Sequence, residues 1–237
     1  MKLEVFDDAD AVAQAAAAAI AEDARAAIAA RGRFVLAVSG GHTPWIMLRV
    51  LAGEDVPWAG VHVCQVDERM APDGHPDRNL THLRESFLQY VSLRPEQIHP
   101  MPVDTPDLQT AARQYALALQ NVAGSPPLLD LVHLGLGPDG HTASLVPGDA
   151  VLDVTDLDVA PTGVYQSRRR LTLTYPTLNR ARRVLWVVTG SEKVEMLRRL
   201  RDHDASIPAG RVRSEQALVL ADRAAAGQLS AESKRGG

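Results

Sequence analysis

Apolar residues fall along this chain in short unbroken runs, separated by longer stretches where apolar and polar positions alternate at helical spacing. RFVLAVSGG, VHVCQVDER, LLDLVHLGLG, RRLTLTYP, RRVLWVVTG and ALVLAD are the runs, and each predicts a strand. Between them, Asp8 to Ala30, TPWIMLRVLAG, RNLTHLRESFLQY, DLQTAARQYALALQNVAG and SEKVEMLRRLRD predict helices. Gly32 stands where a C-terminal cap belongs, and Pro44 falls in a first helical turn. Strands that alternate with helices and are apolar on both faces predict an α/β fold, a mostly parallel Rossmann-like sheet with helices on both faces. No Gly/Ser linker, repeat or low-complexity block divides the chain, so a single domain over residues 1–237 is expected, with SAESKRGG as a frayed tail.

Composition narrows the partners. Hydrophobic residues make up 46% and aromatics only 4%, so Ala, Val and Leu must fill the core. A net charge of -4 argues against nucleic acid, and Arg168-Arg169-Arg170 is too short a basic cluster to reverse that. The one cysteine, Cys64, sits in an apolar run; it reads as a small buried hydrophobe and fits a reducing compartment. The Ala-rich N-terminal stretch is broken by Asp7, Asp8, Asp10 and Gln14 where a signal peptide would be apolar. Nor does any stretch approach the ~18 apolar residues of a membrane span. The expectation is a cytoplasmic protein, monomeric or weakly homo-oligomeric, without membrane or nucleic-acid partners.

In a sheet of this kind ligands bind beyond the carboxyl ends of the strands, and candidate chemistry falls there four times. In VSGGHTP, Gly40 and Gly41 permit a tight turn and Thr43 is placed to cap a helix starting at Pro44, a setting that suits phosphate. In VDERMAPDGHPDRNL, Asp67, Glu68 and Arg69 close a strand; they read either as solvated edge charges or as an anchor for a polar ligand. In TGSEKVEML, Ser191 is a candidate N-cap, and Lys193 in the first turn opposes the helix dipole unless it meets an anion. In HLGLGPDGHTASLVPGD, three glycines (135, 137 and 140) flex a loop offering Asp139 and His141 two apart. There a carboxylate can orient an imidazole that takes a proton from water. Scattered histidines and the absence of HExxH or paired cysteines disfavour a metal site, and no G-x-S-x-G elbow supports a serine hydrolase.

These segments, in this order, resemble the 6-phosphogluconolactonase family within the wider group that includes glucosamine-6-phosphate isomerases. LAVSGGHTP, VDER, GLGPDGHTASLVPG and RRLTLTYPTLNRARRVLWVVTGSEK carry the resemblance over nearly the whole chain. It implies hydrolysis of 6-phospho-D-glucono-1,5-lactone in the oxidative pentose phosphate pathway, with no cofactor. By the same resemblance His141 is the base and Asp139 its partner. Gly40, Gly41, His42 and Thr43 form the sugar-phosphate loop, and Asp67, Arg69, Asn79, Arg170 and Lys193 lie around the ligand. Two positions depart from the family pattern, His42 and Arg78, and both bear on the phosphate pocket. An isomerase would carry an acid before the loop proline, where this chain has Val146 ahead of Pro147. A non-catalytic sugar-phosphate sensor would tolerate loss of His141 and Asp139, which are present.

Overall fold

The computed structural model describes residues 1–227; the predicted frayed tail lies outside the described residues. Its strands are β1 (Lys2–Phe6), β2 (Phe34–Val38), β3 (Val61–Gln65), β4 (Asp67–Arg69), β5 (Ile98–His99), β6 (Leu131–Leu134), β7 (Val159–Pro161), β8 (Arg170–Leu173), β9 (Val184–Val188) and β10 (Ala217–Asp222). The helices are α1 (Ala9–Arg31), α2 (His42–Leu51), α3 (Asn79–Ser86), α4 (Leu108–Ala123), α5 (Tyr175–Arg180), α6 (Val194–Arg201) and α7 (Arg223–Ala226). Seven strands form a parallel sheet in the order β1-β10-β9-β6-β2-β3-β5.

The pleat sorts the apolar runs onto two faces. Phe34, Leu36 and Val38 of β2, with Leu185 and Val187 of β9, join the layer beneath α1, α2 and α3. Val35, Ala37, Val184, Trp186 and Val188 point the other way, into a layer with α4, α6 and the second sheet. This two-sided burial is why the runs lack alternation. Asp8 caps α1, its carboxylate accepting from the Ala11 amide at 2.8 Å, and Gly32 ends the helix at φ 75°.

The second sheet corrects the sequence reading. VHVCQVDER is not one strand: the chain leaves the parallel sheet at Val66, and Asp67–Arg69 pairs antiparallel with β8 in a three-stranded sheet, β4-β8-β7. Val66 is the pivot, its N–H donating to Val38 of β2 and its carbonyl accepting from Leu173. RRLTLTYP therefore belongs to the small sheet and not to the parallel one. The edge strand β1 and the short β5 and β7 had no apolar run to announce them. No helix among the described residues is long and apolar enough to cross a membrane.

Chain order reverses between β2 and β6. From β2 the sheet grows through β3 to β5, and from β6 it grows the other way through β9 and β10 to β1. The carboxyl ends of these two strands flank the crevice where such sheets bind ligands.

Candidate active site

A cavity of about 400 Å³ opens at that switch point. Gly40, Gly41, His42, Thr43, Asp67, Arg69, Asn79, His141, Arg170 and Lys193 all line it, so residues from four separate strand ends meet in one place. Asp139 does not line it but stands behind His141. A larger hollow, about 790 Å³, lies at the opposite, amino ends of the strands. Its charges are paired with one another, Arg31 with Asp130 and Arg183 with Asp23.

The loop after β6 brings Asp139 Oδ1 to 2.5 Å from His141 Nδ1 and 3.1 Å from the His141 amide. A carboxylate oxygen that close requires the ring proton on Nδ1, which leaves Nε2 as the basic nitrogen. Burial works to raise the Asp139 carboxyl, but the His141 amide and ring N–H outweigh it and hold it below the usual carboxylate value. Gly137 makes the pair possible. A Cβ there would lie 2.1 Å from His141 Nδ1 and 2.7 Å from Asp139 Oδ1. Gly140 takes φ 81°, whereas Gly135 neither adopts positive φ nor crowds a neighbour, contrary to its reading as a flexing position.

The small sheet builds the opposite wall. Asp67 faces Thr172 and Arg69 faces Arg170 across the β4–β8 ladder, so Asp67, Arg69 and Arg170 share one face. Two arginines directly opposite each other repel unless an anion lies between them. Neither forms an ion pair among the described residues. Arg69 Nη1 donates to the Asp77 carbonyl at 2.9 Å and to Asn79 Oδ1 at 3.2 Å. Arg170 donates to Gln166 Oε1 at 3.1 Å, and its buried Nε has no partner. Burial lowers the Arg170 pKa from its ordinary value; Asp67 opposes the fall and Arg69 adds to it. Beneath them the fully buried Ser144 donates to Asp67 Oδ2 at 2.5 Å.

The third side is α2. Its N-cap is Gly41, with no capping side chain, so the first-turn N–H groups are left for a ligand. Thr43 is not the cap expected of it: the helix starts two residues earlier than expected, at His42, and Thr43 Oγ1 instead meets Thr189 Oγ1 at 2.7 Å. That contact ties the end of β9 to α2. Gly40 has no room for a side chain, a Cβ there falling 2.1 Å from Asn79 Oδ1. On the fourth side, Ser191 does not cap a helix either. Gly190 opens a 3₁₀ turn over Ser191–Lys193 that precedes α6, with Lys193 18% exposed and 3.6 Å from Glu192. Asp222, at the end of β10, accepts the Gly190 amide on both oxygens at 3.1 Å and so fixes that turn.

Two charged residues prove interior: Glu68, left open as a solvated edge charge or a ligand anchor, and Arg78, placed by the family pattern at the phosphate pocket. Glu68 is fully buried and accepts from Gln65 Nε2 and from the Arg69, Asn79 and Leu80 amides, each at 2.8 Å. Arg78 lies 3.3 Å from Glu68 and donates to the Ala71 carbonyl, so it braces the loop beneath α3 and does not line the cavity. Sequence reasoning also passed over Ser144 and Asp222, polar residues whose significance lies only in what they touch. Cys64 is buried as expected, which pushes its thiol up to about 12. Among the described residues no group of three or more His, Cys, Asp and Glu could hold a metal ion.

Fold and cavity together define an α/β protein with a cation-lined site at the switch point of its sheet. The chain belongs to the glucosamine-6-phosphate isomerase/6-phosphogluconolactonase family, whose model matches residues 7–220. A 6-phosphogluconolactonase of Synechocystis sp. is 40% identical over 68% of this chain and 69% of its own. That of Mycobacterium tuberculosis is 35% identical over 96% and 98%. The solved 6-phosphogluconolactonase of Shewanella baltica superposes with a TM-score of 0.83 at 25% identity, covering 94% of this chain and 97% of that one.

Proposed function

We propose that this chain, as one domain, hydrolyses 6-phospho-D-glucono-1,5-lactone to 6-phosphogluconate, the second step of the oxidative pentose phosphate pathway. The observation that carries the reading is the His141–Asp139 contact of 2.5 Å on the rim of a cavity whose lining includes Lys193, Arg69, Arg170 and the open end of α2. The cations and helix N–H groups hold the phosphate and fix the lactone. His141 Nε2 takes a proton from water as its oxygen attacks C1. The tetrahedral intermediate then breaks its bond to the ring oxygen, which receives that proton from His141. Asp139 holds the tautomer and offsets the imidazolium charge, as a carboxylate behind a histidine base does.

Val146 favours the lactonase over the isomerase. It is buried and does not line the cavity, so the position before Pro147 supplies no acid for ring opening. The test is one preparation offered two substrates. Acid release from fresh 6-phosphogluconolactone, corrected for spontaneous hydrolysis, is expected together with no ammonia from glucosamine 6-phosphate. Ammonia release without lactone hydrolysis would overturn the reading.

A further inference from the structure

A hairpin tip at residues 165–168 reaches the site and has no part in the chemistry described so far. Tyr165 and Arg168 exchange both backbone hydrogen bonds, at 2.9 and 3.2 Å, which closes a two-residue turn. The central residues, Gln166 and Ser167, have φ 50° and 64°. Two positive φ values in succession are the mark of a type I′ turn, where Asn-Gly is the favoured pair. Gln and Ser, which carry a Cβ, are strained in that conformation. A local rule broken at the rim of a cavity calls for a compensating role.

The legs of the hairpin are pinned. Asp149 Oδ2 accepts the Gly163 amide at 2.9 Å, and Arg168 grips Asp77 Oδ2 at 2.8 and 3.0 Å. Held that way, the Tyr165 hydroxyl donates to Asp139 Oδ2 at 3.3 Å, using the carboxylate oxygen that His141 leaves free. The Tyr165 ring stands edge-on to the His141 ring, centroids 5.5 Å apart and planes at 65°. Its face lies 5.1 Å from the Arg170 guanidinium, which Gln166 Oε1 holds from the other side at 3.1 Å. Burial, and then the Asp139 charge, raise the Tyr165 phenol, so it stays a donor.

We infer that this hairpin is a positioning device with two separate fasteners, Tyr165 setting the Asp139–His141 pair and Gln166 setting Arg170. The inference rests on the lactonase reading for its kinetic signature, but not for its spectroscopic one. Tyr165→Phe keeps the ring and loses only the hydroxyl. Asp139 then has His141 as its remaining side-chain donor, and the Nδ1–H proton resonance of His141 must move in the substrate-free protein. In turnover, Tyr165→Phe is expected to lower kcat about tenfold with KM unchanged, the lower end of the scale of one hydrogen bond to a charged group. Gln166→Ala leaves Arg170 with only its 3.4 Å contact to Ser144 Oγ as a side-chain hydrogen bond and is expected to raise KM about tenfold with kcat unchanged. A general loosening of the fold would not split the two parameters in opposite ways between neighbouring residues. An unmoved His141 resonance in Tyr165→Phe overturns the inference whatever the activity of the parent. So does an active parent whose two variants change kcat and KM alike. A parent with no lactonase activity but a moved resonance sinks the functional reading and leaves the hairpin's role standing.

Discussion

A methyl group added at Gly137 would sit 2.1 Å from His141 Nδ1, well inside van der Waals contact, so one of the two must shift. The same methyl would lie 2.7 Å from Asp139 Oδ1, so the shift falls on the His141–Asp139 pair. A displaced base costs about 100-fold in rate for each ångström or so of misplacement. Gly137→Ala is therefore expected to lower kcat by about that factor while leaving KM near the parent value, since the cations lining the cavity lie on other strand ends. Gly137 has no positive φ to strain, so the melting temperature should stay close to that of the parent. Steady-state kinetics beside a thermal melt checks both, and a parent-like kcat would show that His141 has room to spare. Much at this scale was legible in the sequence. Asp139 and His141, two apart in a glycine-rich loop after a strand, announced a contact pair, and Lys193 after its strand announced a residue that lines the cavity. Glu68 and Arg78 were not legible. A charge at a strand end looks the same whether it meets water or four backbone and side-chain donors, and only the fold decides which.

At the scale of the element, the crevice floor depends on β2 and β6, the strands on either side of the reversal. His133 of β6 is fully buried, accepts the Ser39 amide at Nδ1 and has no partner for Nε2. Burial lowers its pKa from about 6.5 to about 4, so the folded chain holds it neutral. The unfolded chain takes up the proton first as pH falls. This group's contribution to stability is therefore full above pH 6.5 and is lost on the way down to pH 4, amounting to about 3 kcal/mol. His62 and His99, both lowered by burial, push in the same direction. Urea unfolding at pH 7 and pH 4.5 should show a smaller loss for His133→Asn than for the parent, because Asn cannot charge. Equal losses would mean that His133 is already protonated in the folded protein or titrates normally in it. Periodicity announced β2, β3, β6, β9 and β10, whose runs are buried on both faces. It could not announce the small sheet: DER and RRLTLTYP continue or imitate apolar runs, and their pairing depends on a turn of the chain at Val66 that no local pattern encodes.

At the scale of the whole molecule, the site is a product of topology. Arg69 and Arg170 are about a hundred residues apart in the chain and face each other only because β4 and β8 leave the main sheet to pair. Lys193 reaches the same cavity because Asp222, at the end of the last strand, fixes the turn after β9. The α2 terminus is there because β2 ends at the reversal of strand order. The cations, the open end of α2 and His141 then face a single volume of about 400 Å³. The order of the motifs along the chain was a guide to this convergence, since each follows a strand and parallel strands share one carboxyl edge. What order alone could not supply was the second wall.

If His141 is the base of the proposed lactone hydrolysis, its removal slows the chemical step. The initial rate of acid release from freshly made 6-phosphogluconolactone is measured for the parent and for His141→Ala, with the spontaneous rate subtracted from both. The parent is expected to hydrolyse the lactone well above the spontaneous rate, and the variant to have a kcat lower by about 10²–10⁴-fold, the scale of a positioned general base. A His141→Ala protein that hydrolyses the lactone at the parent rate would contradict that role for His141.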